Sequence, residues 1–256
     1  MNAMYAAFRR IAGVACTLLL GACMSLPPTS ESIPVREIRA PSGSSERVVV
    51  VLPGRGDDLA MLERSNIAQQ IQEKLPDTDV LLVEATLAYY MEGRLVERLH
   101  DQVIAPARAR YREVWLTGAS MGGLGVMMYE HQHPGEVTGL VLMAPFMGPA
   151  SLQREIRAAG GVASWDPGPR PSALTRENVA REVWRVVRSW IDNPQRARNV
   201  WLVCGQEDRL RAAAELVATA LPAEQTLLPP GNHRWTVWAP AAAEALATTI
   251  SMNKRR

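Results

Sequence analysis

Apolar residues fall into two alternating kinds of segment along most of this chain. Short continuous runs rich in Val, Leu and Ile occur at 48–52, 80–83, 114–117, 137–144, 199–204 and 225–228. A run of that length without polar alternation is the pattern of a strand buried on both faces. Between the runs, apolar residues recur every three or four positions over 59–75, 92–111, 121–132, 210–221 and 236–250. That spacing predicts amphipathic helices. Pro76 stops the first of these, and Pro106 interrupts or kinks the second. Strands alternating with helices of this length predict an α/β domain with a mostly parallel sheet flanked by helices.

Two regions break the rhythm. Residues 146–198 hold no strand run; they carry the turn-rich stretch Trp165-Asp166-Pro167-Gly168-Pro169-Arg170-Pro171, then helical spacing over 176–191. This interval is expected to be a small helical cap inserted between two strands. At the other end, residues 23–45 are rich in Pro and Ser and read as a flexible tether, with a short edge strand over 33–38 as the one element within it. The domain proper is therefore expected over 46–256.

The first 22 residues have the layout of an export signal. Arg9 and Arg10 precede an apolar stretch over 11–20, too short to span a bilayer. Leu20-Gly21-Ala22-Cys23 follows and resembles the bacterial lipobox. That resemblance implies cleavage after Ala22, three acyl chains on Cys23, and a membrane partner in the bacterial cell envelope. Met24, where an Asp would signal inner-membrane retention, implies the outer membrane, facing the periplasm. The alternative is a general secretory signal in which Cys23 is incidental.

Composition adds limits. The 256 residues are 47% hydrophobic and 21% charged, as in an ordinary globular protein. The formal net charge of +2 falls to zero once Arg9 and Arg10 are removed, because 28 basic residues less two equals the 26 acidic ones. A neutral chain has no electrostatic footprint for nucleic acid. After loss of Cys16 and acylation of Cys23, Cys204 is the one free thiol left, so no intrachain disulfide is expected.

The candidate chemistry centres on Gly118-Ala119-Ser120-Met121-Gly122, a G-x-S-x-G pattern. Alone it is a weak signal. Its setting strengthens it, because a strand runs straight into it and a helix leaves it. The glycines allow a strained turn that lifts the hydroxyl of Ser120 clear of the sheet. A serine nucleophile needs a base, and the base needs an orienting carboxylate. Among four histidines, His100, His131 and His133 lie before or just after the nucleophile helix. His233 lies between the last strand and the last helix, where a base can reach the sheet's C-terminal edge. For the acid, Gly205-Gln206-Glu207-Asp208 follows the strand at 199–204; Asp208 is the candidate and Glu207 the runner-up. The competing role for Asp208 is a helix N-cap. The oxyanion hole requires two backbone N–H groups. Met121 supplies one, and the loop Leu52-Pro53-Gly54-Arg55-Gly56 the other, with Arg55 ahead of Gly56. A phosphate cradle in that loop is excluded because no Lys-Ser/Thr pair follows the glycines.

Taken together, the Ser elbow, the cap, Asp208 and His233 resemble the α/β-hydrolase superfamily, over about residues 47–250. Gly-Ala-Ser-Met-Gly-Gly with Gly-Asn-His-Arg-Trp is similar to its small esterase and lysophospholipase-like branches. The resemblance implies the α/β-hydrolase fold, an acyl-enzyme mechanism on small-molecule or lipid-like esters, and neither metal nor organic cofactor. Pro53-Gly54 stands where many members have His-Gly. Trp165 and Trp184 in the cap are candidate substrate contacts, with burial in the core as the competing reading for the helical tryptophans Trp184 and Trp190. The same triad also serves thioesterases, amidases and peptidases. The other reading is a lipid-anchored binding protein on an inactive scaffold, which this complete set of residues disfavours.

Overall fold

The computed structural model describes Thr29 and residues 32–254. The export signal and Cys23 lie outside the described residues. The strands are β1 (Val35–Ile38), β2 (Arg47–Leu52), β3 (Thr78–Val83), β4 (Glu113–Ala119), β5 (Gly139–Met143), β6 (Val200–Val203) and β7 (Thr226–Leu227). The α-helices are α1 (Leu59–Arg64), α2 (Ile67–Lys74), α3 (Leu87–Met91), α4 (Leu95–Leu99), α5 (Ala105–Arg110), α6 (Met121–Gln132), α7 (Ala150–Ala158), α8 (Val179–Asp192), α9 (Arg211–Ala218) and α10 (Trp235–Lys254). No helix of the described residues is long and apolar enough to cross a membrane.

The strands form one sheet in the order β1-β3-β2-β4-β5-β6-β7. β1 pairs antiparallel with β3, and every other pairing is parallel. Every residue of β2 is buried, as its unbroken Val run requires of a strand covered on both faces. Each such buried Val contributes about 1.5–3 kcal/mol of burial free energy. Helix α6 packs on β2, β4 and β5, and α10 packs on β5, β6 and α2.

Register decides where chemistry can occur. Leu52 pairs with Gly118, Ala119 with Met143, and Met143 with Val203. The parallel strands therefore end level, and the loops after β2, β4, β5 and β6 rise side by side at one edge of the sheet. In open α/β sheets, that carboxyl edge is where ligands bind.

Several sequence expectations need correction. The edge strand expected over 33–38 is present as β1, paired along β3, but the stretch around it is packed against the domain and is not a free tether, with Ile33 and Ala40 buried. The expected helix over 59–75 is two helices. Asn66 sits between them with a φ of +58°, a left-handed conformation that Asn tolerates better than most residues. The expected helix over 92–111 contains a π-helical turn at His100–Ile104, with the Ala105 amide donating to the His100 carbonyl. Pro106 follows directly and has no N–H with which to continue an α ladder. Between β5 and β6 the chain forms α7, α8 and a short 3₁₀ turn, Pro194–Ala197, with no strand. Of these, α7 was not anticipated. Helix α8 packs its apolar stripe on α6.

Candidate active site

Ser120 joins β4 to α6 with φ +54° and ψ −110°. This region is sparsely populated for a residue with a Cβ, and holding it costs on the order of 1–3 kcal/mol. Neighbouring backbone fixes the turn: the Ser120 amide donates to the Met143 carbonyl, and the Phe146 amide donates to the Ser120 carbonyl, both at 2.8 Å. The flanking glycines are required by close approach. A Cβ on Gly118 would lie 2.4 Å from the carbonyl of Gly122, and one on Gly122 would lie 2.6 Å from the carbonyl oxygens of Leu52 and Pro53. The G-x-S-x-G pattern thus lets the elbow turn on itself and pack beside β2.

His233 reaches this serine from the loop between β7 and α10. Its Nε2 lies 2.9 Å from Ser120 Oγ, and its Nδ1 lies 2.8 and 2.9 Å from the two carboxylate oxygens of Asp208. A carboxylate can only accept, so Nδ1 carries the proton and Nε2 is left to accept from the serine hydroxyl. The Asp208 side chain is 0% exposed. It also accepts the Leu210 amide at 2.8 Å, a local turn ahead of α9. The N-cap of α9 is Leu210, without a side-chain cap, so the N-cap role weighed for Asp208 is not the one it takes. Trp238 stands edge-on to the imidazole, with centroids 4.6 Å apart and planes at 87°, and restricts its rotation.

Glu207 has a different task. Its amide donates to the Gly231 carbonyl at 2.9 Å, and its carboxylate accepts the Gly231 amide. It fastens the loop after β6 to the loop carrying His233. Cys204 at the end of β6 is wholly buried, and burial, aided by the Asp208 charge, pushes its thiol up to about 12. A thiol in that state is a packing residue.

The two oxyanion candidates come from different loops. Met121 opens α6, and Arg55 lines the same cleft as Ser120 and His233. The Gly54 amide is occupied, donating to Asp57 Oδ2 at 3.1 Å, so the loop's available donors begin at Arg55. The same Asp57 oxygen accepts the indole N–H of Trp235 at 2.9 Å. Asp57 therefore ties the loop after β2 to the start of α10, directly beside His233. Sequence reading missed Asp57, Trp235 and Trp238. The available signal was two tryptophans three residues apart, on one helix face immediately after His233.

Trp165 and Trp184 do not meet Ser120. They are 2% and 0% exposed, and their indole N–H groups donate to Glu155 and to the Met147 carbonyl, each at 2.8 Å. Neither lines the cleft at Ser120. The reading of them as substrate contacts gives way: both rings are buried in the core and each has a partner for its N–H. His100 and His133 are also remote. Their rings stack at 4.2 Å and face Glu136, which Tyr129 and Arg108 also contact. His133 lies at the far end of α6, about 18 Å along the helix from Ser120.

The cleft at Ser120 has a volume of about 500 Å³. Around its mouth are Arg55, Arg64, Arg209 and Arg234, with Asp57 as the carboxylate among its lining residues.

Comparison with known proteins agrees with this architecture. The sequence profile of the serine aminopeptidase family, S33, matches residues 95–166, a span that includes the elbow but neither Asp208 nor His233. No curated protein matches in sequence. Among solved structures, Est1E from Butyrivibrio proteoclasticus is similar, with a TM-score of 0.58 at 16% identity over 88% of this chain and 95% of that one. A ferulic acid esterase gives a TM-score of 0.53 at 14% identity, covering 85% and 97%. FphF, a fluorophosphonate-binding serine hydrolase of Staphylococcus aureus, gives 0.54 at 11% identity, covering 86% and 99%. The chain has the α/β-hydrolase fold.

Proposed function

We propose that the protein hydrolyses carboxylic esters through an acyl-enzyme on Ser120. The observation that carries this reading is the unbroken hydrogen-bond chain from Asp208 through His233 to a serine held in a strained elbow. In the first half-reaction, His233 Nε2 takes the hydroxyl proton as Ser120 Oγ bonds to the ester carbonyl carbon. The carbonyl oxygen becomes an oxyanion and receives the amides of Met121 and Arg55. Collapse of the tetrahedral intermediate breaks the bond to the alcohol, which leaves with the proton from His233. Water then repeats the sequence, with His233 as base, and the acid departs from a restored serine. Throughout, Asp208 stabilises the imidazolium and holds its orientation. Solved structures of similar fold include a ferulic acid esterase, which supports an ester as the acyl donor.

The matched family profile raises aminopeptidase activity as the competing reading. An aminopeptidase must hold a protonated amine beside the scissile bond, which calls for free carboxylates. The cleft lining instead has four arginines, and its Asp57 is engaged by Gly54 and Trp235. We therefore expect turnover of 4-nitrophenyl acetate and butyrate and none of amino-acid 4-nitroanilides. Ser120→Ala and His233→Ala should each reduce ester turnover by roughly 10⁴-fold or more. Anilide cleavage at a rate matching the esters, or a His233→Ala protein of undiminished activity, contradicts the reading.

A lipid anchor at Cys23 completes the proposal. Acylation there would hold the domain at an envelope membrane, the outer one facing the periplasm, within reach of lipid-like esters. The lipobox Leu20-Gly21-Ala22-Cys23 supports it.

A further inference from the structure

Four guanidinium groups ring the cleft, and each stands beside a working part of it. Arg55 is in the oxyanion loop, Arg209 follows Asp208, Arg234 follows His233, and Arg64 ends α1. All four are exposed, and none has an ion-pair partner among the described residues. Their isolation is not for want of acids nearby. Glu63, next to Arg64, pairs with Arg36 at 3.2 Å; Asp58 caps α1 through the Met61 amide; Glu207 holds Gly231. Asp57, within the cleft, is occupied on the oxygen that accepts Gly54 and Trp235. Nor does overall basicity explain it, because the whole chain carries a formal charge of only +2. Many arginines elsewhere are matched, among them Arg47 with Glu113, Arg181 with Glu155 and Arg185 with Glu182. Other unmatched ones exist, and what sets these four apart is that they line one cleft.

Grouping unmatched cations around one concave site costs free energy through mutual repulsion, and the cost is offset when an anion binds there. The guanidinium fork, always charged, is the group best suited to grip carboxylate or phosphate oxygens in pairs.

We propose that the substrate is an anionic ester, one that carries a carboxylate or phosphate group near its scissile carbonyl, and that Arg64, Arg209 and Arg234 with the Arg55 side chain bind that group. The proposal rests on the ester-hydrolase reading and narrows it to a substrate class. The anion can belong to a soluble half-ester or to a lipid headgroup.

A charge-matched pair of substrates tests it. Mono-4-nitrophenyl adipate carries a free carboxylate, and its methyl ester has the same acyl chain without the charge. We expect the charged ester to be favoured in kcat/KM by at least about tenfold at low salt, the worth of one charge-assisted hydrogen bond. The preference should shrink toward unity at high ionic strength and in an Arg209→Gln/Arg234→Gln variant. A second pair, lysophosphatidate against monoacylglycerol, places the charge on the lipid alcohol. A preference in this pair alone assigns the site to headgroups, and a preference in the adipate pair alone assigns it to soluble half-esters. Equal rates within both pairs, or a preference unchanged by salt and by the double variant, overturn the proposal while leaving ester hydrolysis intact. Calorimetry of adipate on the Ser120→Ala protein separates the two readings further. Salt-sensitive adipate binding without turnover of any ester by wild type upholds the anion site and removes the hydrolase; no binding, with neutral esters turned over, does the reverse.

Discussion

Asp208 and Glu207 are neighbours in one loop, yet their carboxylates meet different partners. Asp208 bonds to the imidazole of His233, and Glu207 to the backbone of Gly231. An amide at 208 presents an N–H₂ as readily as an oxygen and favours the wrong imidazole tautomer, so Asp208→Asn should lower kcat by roughly 10⁴-fold. A glutamine at 207 still offers an acceptor oxygen to Gly231, and Glu207→Gln should lose less than about tenfold, since one neutral hydrogen bond is worth ~1 kcal/mol. Steady-state kinetics on one aryl ester decides; comparable losses would make the two acids interchangeable and contradict the assignment. At this scale the sequence was informative wherever chemistry restricts residue type and order. Ser120, Asp208 and His233 could be picked out because the motif, the strand ends and the chain order all agree. Asp57 could not, because its partners come from the preceding Gly54 and from Trp235, 178 residues away in the chain. Trp165 and Trp184 were misassigned because an aromatic residue in a cap looks alike whether it faces substrate or core.

At the scale of elements, hydrophobic periodicity located segments better than their interruptions. The apolar step from Leu62 to Ile67 is five residues, which would turn a continuous helix well off its buried face. The left-handed Asn66 restores the phase, so α1 and α2 each bury their own stripe. The cap is held by a polar clasp that periodicity does not reveal. Glu155 on α7 accepts both guanidinium nitrogens of Arg181 on α8, at 2.8 and 2.9 Å, together with the Trp165 indole N–H. The Arg181 hydrogen bonds, then that of Trp165, hold the Glu155 carboxyl below its ordinary value. A carboxyl lowered on folding stabilises the native state above its unfolded titration range, and that contribution is lost as pH falls through the folded one. The side chain is 46% exposed, so solvent screening limits the clasp to about 1 kcal/mol or less. Glu155→Gln should therefore speed hydrogen exchange in α7 and α8 at neutral pH, with wild type and variant converging under acid conditions. A difference that persists unchanged in acid would assign the clasp's contribution to packing instead of charge.

Across the whole molecule, the parallel register gathers residues from four loops, spread from Arg55 to Trp238, into one cleft. The alternation of apolar runs and amphipathic stretches was enough to foresee the sheet, because strands buried on both faces leave few other arrangements. The short edge strand expected over 33–38 is β1, which pairs at the sheet's edge and keeps exposed residues there. Cys23→Ala should release the protein from the membrane fraction or leave the signal uncleaved, because one thiol carries the proposed anchor. Full retention of a cleaved Cys23→Ala protein in membranes would require another anchor. The central claim is that Ser120 is a nucleophile activated by His233. A fluorophosphonate reacts with an activated serine hydroxyl and forms a covalent Oγ–P bond. Intact-mass measurement after exposure to a fluorophosphonate should show one adduct on the wild-type protein, mapped to Ser120, none on Ser120→Ala, and labelling slowed by orders of magnitude on His233→Ala. An unlabelled wild type, or an adduct that survives Ser120→Ala, would contradict the account.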